Sequence, residues 1–257
     1  MTKRLIVFAY GAICYAVFLA TFLYAVGFVG NVLVPTALDG PATGSLATAL
    51  AIDLGLLLLF ALQHSVMARP AFKRWWTKFV PEAAERSTYV LASSLALIAL
   101  FACWRPLGGE VWSVTGAAAG ALYGLCAFGW ALVLVATFLI NHFDLFGLRQ
   151  VWLNLRGVPY THIGFRTPGP YKLVRHPLYV GWLFAFWATP VMTAAHLVFA
   201  LATTAYILIA IQLEERDLVA SLGEDYRAYR RRVPMLIPFL RPRTERLPLP
   251  VDVRSPI

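Results

Sequence analysis

Leu178-Tyr-Val-Gly-Trp-Leu-Phe-Ala-Phe-Trp-Ala-Thr-Pro190-Val-Met-Thr193 opens an apolar block that continues to Leu213. As one helix the block would be about 54 Å long, against a hydrocarbon core of about 30 Å. It must therefore fold back on itself. Thr189-Pro190 with Thr193 is the natural break, because proline lacks an N–H and biases the preceding residue away from helix. The expected result is a hairpin of a shorter and a longer helix. Just upstream, Arg166-Thr-Pro-Gly-Pro-Tyr-Lys-Leu-Val-Arg175-His176-Pro177 is polar and turn-rich. Pro177 suits the first position of the shorter helix. That places Arg175 and His176 beside a helix N-terminus, whose free N–H groups favour an anion.

Four further apolar runs precede the hairpin, at Leu5–Val29, Leu46–Met67, Thr88–Trp104 and Thr115–Ile140. The expected fold is an all-α polytopic membrane bundle of about six helices, with the fifth short. Basic residues test that count, because Lys and Arg concentrate in cytoplasmic loops. Lys3 and Arg4 precede the first run, and the loop after it has neither residue type. The second loop carries Arg69, Lys73, Arg74, Lys78 and Arg86; the third has only Arg105. Arg149, Arg156, Arg166, Lys172 and Arg175 fill the fourth, the hairpin tip is bare, and the chain after Leu213 is strongly basic. The alternation holds at every crossing and predicts both termini on the cytoplasmic side. Residues 1–240 are expected to form one membrane domain, with 166–240 as its hairpin and tail, and 241–257 a disordered cytoplasmic end.

Sixty per cent hydrophobic residues and a mean hydropathy of +0.68 exclude an ordinary soluble domain. The net charge of +9 is accounted for by cytoplasmic loops, so no nucleic-acid partner is expected. Cys14, Cys103 and Cys126 lie in apolar runs and predict neither disulfide nor metal site. The first run is too long for a signal-peptide core and reads as a retained span. Gly116, Gly120 and Gly124 form overlapping G-x-x-x-G patterns that predict close helix packing. Tyr226, Tyr229 and Val233 recur at helical spacing beside a basic face, as in a helix lying on an anionic membrane surface.

Polar residues at depth gather at the predicted cytoplasmic ends. Gln63, His64 and Arg69 close the second helix, Asn141, His142 and Asp144 the fourth, and Arg175 and His176 open the fifth. Glu214, Glu215, Arg216 and Asp217 close the sixth. Snorkelling explains arginines and Asp217 taken singly. The histidines together with Glu214-Glu215 point to a site, since ionisable groups at membrane depth are costly. Asp53 and His196 lie at the other end, Asp53 pairing within the bundle and His196 at the interface. His162, in the fourth loop, reads equally as a site group or an exposed one. A histidine beside a carboxylate is a general-base arrangement, which makes His142 with Asp144 a candidate pair. Dinucleotide, phosphate-loop, H-E-x-x-H and C-x-x-C motifs are absent, so redox cofactors and zinc have no support.

Arg175-His176-Pro177-Leu178-Tyr179-Val180-Gly181, the later Glu214-Glu215-Arg216-Asp217 and the tail Gly223-Glu-Asp-Tyr226-Arg-Ala-Tyr229 resemble the isoprenylcysteine carboxyl methyltransferase and phospholipid methyltransferase superfamily. Gln63-His64-Ser65-Val66-Met67-Ala68-Arg69, Glu85-Arg86 with Tyr89, and Asn141-His142-Phe143-Asp144-Leu145-Phe146-Gly147-Leu148-Arg149-Gln150 resemble the branch holding methanethiol S-methyltransferase and the NnrU-like proteins. The resemblance implies a multi-pass protein of the bacterial inner membrane that transfers a methyl group from S-adenosylmethionine to methanethiol, giving dimethyl sulfide. It implies S-adenosylmethionine bound at the cytoplasmic face by the hairpin and tail, with Arg175, His176, Tyr179, Glu214 and Glu215 as cofactor-binding candidates. His142, oriented by Asp144, is the first candidate to assist thiolate formation, and His64 the second. A lipid or prenylated acceptor, or an NnrU-like protein without catalysis, are the alternatives.

Overall fold

A computed structural model describes residues 1–240; the expected disordered end, 241–257, lies outside the described residues. The chain is mostly helical. Five helices are long and apolar enough to cross a membrane: α1 (Thr2–Gly30), α2 (Leu46–Ala68), α4 (Glu82–Cys103), α5 (Gly116–Ile140) and α9 (Ala194–Leu222). Between them lie α3 (Pro70–Trp76), α6 (His142–Leu145), α7 (Leu148–Arg156) and α8 (Pro177–Trp187), and α10 (Glu224–Arg232) follows. The hairpin turns where proline and threonine require it. Helix α8 ends at Trp187, Pro190 occupies the connection, and the Thr193 hydroxyl caps α9 by accepting the His196 N–H at 3.1 Å. The short helix is about 16 Å long at its 11 residues, so the extended segment after it completes the return to α9.

That segment supplies the one departure from all-helical structure among the described residues. Strand β1 (Glu110–Ser113) pairs antiparallel with β2 (Val191–Thr193). The ribbon brings the loop after α4 and the hairpin tip to one end of the bundle. The loop after α1 joins them there. The Thr36 hydroxyl donates to the Phe101 carbonyl at 2.8 Å, and the Trp104 indole N–H donates to the Leu38 carbonyl at 3.0 Å. Asp39 closes the group, accepting from Asn31 at 2.5 Å, from the Thr193 hydroxyl, and from His196 Nδ1 at 3.2 Å. His196 is thus buried and bonded on both ring nitrogens, the second to the Phe186 carbonyl at 2.9 Å, and is not interfacial as its sequence position predicts. Asp53 does pair within the bundle, through the Arg105 backbone N–H at 2.9 Å.

Between this end and the other, aromatic rings fill the bundle: Phe28, Phe101, Trp104, Phe186 and Phe199 form its buried centre. Helices α5 and α8 meet most closely, at a pair of glycines. A Cβ on Gly129 would lie 2.6 Å from the Ala185 nitrogen and 2.7 Å from the Gly181 carbonyl. A Cβ on Gly181 would lie 2.8 Å from the Gly129 carbonyl. The expected packing at Gly116, Gly120 and Gly124 is not found: none of the described residues lies within 4 Å of a Cβ there. The close approach uses one glycine from each helix, which a pattern within a single helix does not reveal. The expected surface helix, α10, is also corrected. Its Tyr226, Tyr229 and Val233 are covered by Leu218, Val219 and Leu222 of α9, so that face is packed on the protein itself.

Two outcomes follow from these contacts. Gly129→Ala and Gly181→Ala should each cost about 1–3 kcal/mol by overpacking, read as a lower thermal midpoint in detergent, while Gly120→Ala leaves it unchanged. Burial works to raise the Asp39 pKa, but the bonds from His196, Thr193 and Asn31 outweigh it and hold the carboxyl below its ordinary value. A depressed folded pKa gives stability that is fully present above the unfolded value and lost as pH falls through the folded one. Asp39→Asn should therefore flatten the acid limb of the thermal midpoint against pH, which titration of midpoints from pH 6 downward would measure.

Candidate active site

At the end opposite the ribbon, adjacent residues Glu214 and Glu215 diverge. Helix α9 is about 43 Å long at its 29 residues, so its last turns extend beyond a hydrocarbon core of about 30 Å. Glu215 points into the protein. Its Oε1 accepts from Arg175 Nε at 2.6 Å and from His176 Nε2 at 3.0 Å, and Arg230 Nε lies 3.5 Å from Oε2. Arg175 reaches onward, donating from Nη1 to the Val233 carbonyl at 2.6 Å and the Arg230 carbonyl at 3.3 Å. The backbone N–H groups of Arg175 and His176 donate to the carbonyls of Pro234 and Met235. One buried carboxylate thus ties the turn before α8, the end of α9, α10 and the returning tail into a knot.

That knot changes what the Arg-His-Pro turn offers. The anion beside the α8 N-terminus is Glu215 of the protein itself, and the guanidinium of Arg175 is held by protein acceptors. Glu214 is different. Its side chain is 45% exposed; Oε2 accepts from the Tyr179 hydroxyl at 3.0 Å, and His176 Nδ1 stands 4.0 Å away. Its other oxygen has no partner among the described residues, which leaves one open carboxylate oxygen beside a phenol.

The two candidate histidines have different surroundings. His142 is buried between α1, α5 and α6, stacked on Phe138 with ring centroids 4.3 Å apart. Thr137 Oγ1 gives its proton to the Leu134 carbonyl at 2.7 Å, so at 2.9 Å it accepts from His142 Nδ1–H. The remaining lone pair, on Nε2, meets the Tyr15 hydroxyl at 2.9 Å. Burial also holds the His142 pKa below the ordinary histidine value. Asp144 does not orient this ring. It accepts from Arg149 at 2.9 Å and from the Tyr160 hydroxyl at 3.2 Å, because at two residues' separation it leaves the opposite side of a short helix. His162 is exposed, with its ring edge on Tyr160.

His64 belongs to the Glu214 side. Its Nδ1 lies 3.1 Å from Ser93 Oγ, and its Nε2 lies 2.9 Å from the Tyr89 hydroxyl. Phe60 stacks on the ring at 5.2 Å, and Tyr206 of α9 stands edge-on at 6.5 Å. Tyr206 contacts Ser65 Oγ at 3.3 Å, and Arg69 is bonded to Asp217 at 2.8 Å, which fastens α2 to α9. Tyr89 and Tyr206 both lie within electrostatic range of Glu214, and Tyr179 within range of Tyr206 and Tyr89. Tyr206 and Ser93 are not among the sequence-based candidates, and Arg86 with Tyr89 enters there only through the resemblance, although Arg86, Tyr89 and Ser93 at spacings of three and four share one face of α4.

The arrangement is a ring of phenols between an open carboxylate and an imidazole at one end of a membrane bundle. Comparison with known proteins gives it a family. The phospholipid methyltransferase family model matches residues 123–224, which include Tyr179, Tyr206 and both glutamates. A methanethiol S-methyltransferase of Crocosphaera subtropica is 59% identical over 93% of this chain and 94% of its own length. The chain belongs to the methanethiol S-methyltransferase family. A second member, from Mycobacterium tuberculosis, is 55% identical over 92% of this chain and 98% of its own. Nurim of Xenopus laevis is 33% identical over 65% of the chain and 61% of its own length. No solved structure matches. As a member of the methanethiol S-methyltransferase family, the chain is a membrane methyltransferase.

The two glutamates separate experimentally. Glu215→Ala leaves buried Arg175 without its carboxylate and should cost about 3–5 kcal/mol, seen as a large fall in thermal midpoint. Glu214→Gln, at a half-exposed position, should leave the midpoint close to that of the unmodified protein.

Proposed function

We propose that the protein methylates methanethiol with S-adenosylmethionine as donor, giving dimethyl sulfide, at the end of the bundle where Glu214 and His64 approach. The names of the relatives support the acceptor. The observation that carries the donor is Glu214, a carboxylate with one oxygen held by Tyr179 and the other open. S-adenosylmethionine is cationic at its ammonium and sulfonium, and a carboxylate flanked by phenol rings fits such a group through charge and cation–π attraction. When bound, the donor supplies an activated methyl group on a positive sulfur.

The chain's own residues then have separate tasks. Glu214 and Tyr179 hold the cationic donor, and the Glu215–Arg175–His176 knot keeps α8 and α9 at the spacing that this pair needs. His64 takes the proton of the acceptor S–H, because the thiolate is the nucleophile. The thiolate lone pair forms the new S–C bond as the methyl–sulfonium bond breaks, its electron pair remaining on the departing thioether. Positioning and exclusion of water favour this displacement. His142, bonded to Tyr15 of α1 and Thr137 of α5, serves to fix α6 against both helices. A small thiol reaches such a place from lipid or water, which suits a site at a membrane boundary.

Membranes containing the protein, given both substrates, should release dimethyl sulfide into headspace gas. Well-folded protein that methylates only long-chain or prenylated acceptors would remove methanethiol as the substrate. Glu214→Gln should weaken S-adenosylmethionine binding about tenfold or more, whereas His64→Ala should lower turnover with that affinity kept. The opposite pattern would exchange the two roles.

A further inference from the structure

A guanidinium without a carboxylate partner stands beside the same cluster. Arg86 lies one turn before Tyr89 on α4, with its Cζ 5.5 Å from the centre of the Tyr89 ring. It is half-buried and makes no hydrogen bond or ion pair with any described residue. Neighbouring arginines are paired with carboxylates, whereas Lys73 of α3 also lies near Arg86. Arg69 is bonded to Asp217, and Arg149 to Asp144. Arg175 and Arg230 share Glu215. Of the charges around His64 and Tyr89, that of Arg86 acts most strongly on both. Glu214 is felt at Tyr89 as well, so this phenol lies within range of one open anion and one open cation.

The polarity matches the charges of a methyl transfer from a sulfonium to a thiolate. We propose, on the footing of the thiol methylation above, that Arg86 is the counter-charge for the acceptor sulfur in its thiolate form, opposite Glu214, which holds the donor. A half-buried cation is costly when unpaired, and an arriving anion relieves that cost. An opposite charge within about 4–6 Å favours the ionised form of a titrating group by about 1–3 pH units. Arg86 therefore does for the thiol what His64 alone does not. His64 removes the proton, and Arg86 keeps the resulting thiolate populated near neutral pH. The acceptor class that this selects is a small thiol without a positive charge of its own. A cationic thiol would be repelled from the same place.

The test is the pH dependence of kcat/KM for methanethiol in the full-length protein, reconstituted in lipid, with S-adenosylmethionine affinity measured beside it. The charges facing the cluster from the packed elements are unchanged in every variant: Arg69 of α2, Lys73 of α3, Glu85 of α4, Glu214 and Asp217 of α9, and Asp144 beside Tyr160. Arg86→Gln should move the rising limb of the profile to higher pH by about one unit and lower kcat/KM at neutral pH about tenfold, with donor affinity kept. Arg86→Lys should keep the position of the limb. An unmoved limb in Arg86→Gln overturns the proposal, as does a fall in donor affinity that accounts for the whole loss. If Arg86→Gln does not fold, Arg86→Lys decides. A limb at its original pH supports a role for charge, and an alkaline shift or lost activity overturns it. Unmodified protein that forms no dimethyl sulfide would instead reject the thiol methylation itself.

Discussion

The bond between Glu215 and Arg175 is the interaction on which the rest of the site depends. Both side chains are nearly buried, at 7% and 9% exposure, where removal of either leaves an uncompensated charge. Four pieces of chain meet on this pair: the turn before α8, the end of α9, α10 and the tail at Pro234 and Met235. Tyr229 of α10 adds a bond to the Tyr171 carbonyl at 2.5 Å, fixing the 3-10 turn Gly169–Lys172 to the same knot. Because α8 is short, its first residues are held deep against α9, and Tyr179 reaches Glu214 from there.

A second constraint operates at the opposite end. The β1–β2 ribbon and the Asp39 clasp join three loops that would otherwise be free. With α8 and α9 tied at both ends and α5 seated on α8 through Gly129 and Gly181, the hairpin has little freedom to slide. Rigid placement matters for a displacement reaction, in which the two sulfurs and the methyl carbon must stand in line. The same rigidity separates structural charges from open ones. Glu215, Arg175 and Asp144 have charged partners within the chain, whereas Arg86 and one oxygen of Glu214 have none among the described residues.

Much of this was legible in the residues. Apolar run lengths determined the spans, the excess length of the last block determined the hairpin, and Pro190 with Thr193 determined where it turns, because each rests on local geometry. The grouping of His64, His176 and the glutamates at one end followed from depth along helices of known rise. Separation between neighbours in sequence was not legible. Glu214 and Glu215 look alike as a pair, yet a rotation of about 100° along the helix gives one to the knot and leaves the other open. His142 and Asp144 look like a general-base pair, yet a tight turn sends the acid to Arg149 and Tyr160.

The sequence by itself determined the membrane bundle, its hairpin, the family resemblance and the end at which ionisable groups collect. These depend on composition, period and length, which are properties of a chain read one segment at a time. Only the tertiary structure decided which ionisable groups are neutralised, because partners such as Arg175 and Glu215, or Arg69 and Asp217, stand far apart in sequence. It also placed the helix–helix contact at Gly129 and Gly181 rather than at the G-x-x-x-G repeat, since close approach requires a small residue on both partners at one height. The physical reason is common to both cases. A charge or a cavity has meaning only relative to what faces it, and what faces it is fixed by packing.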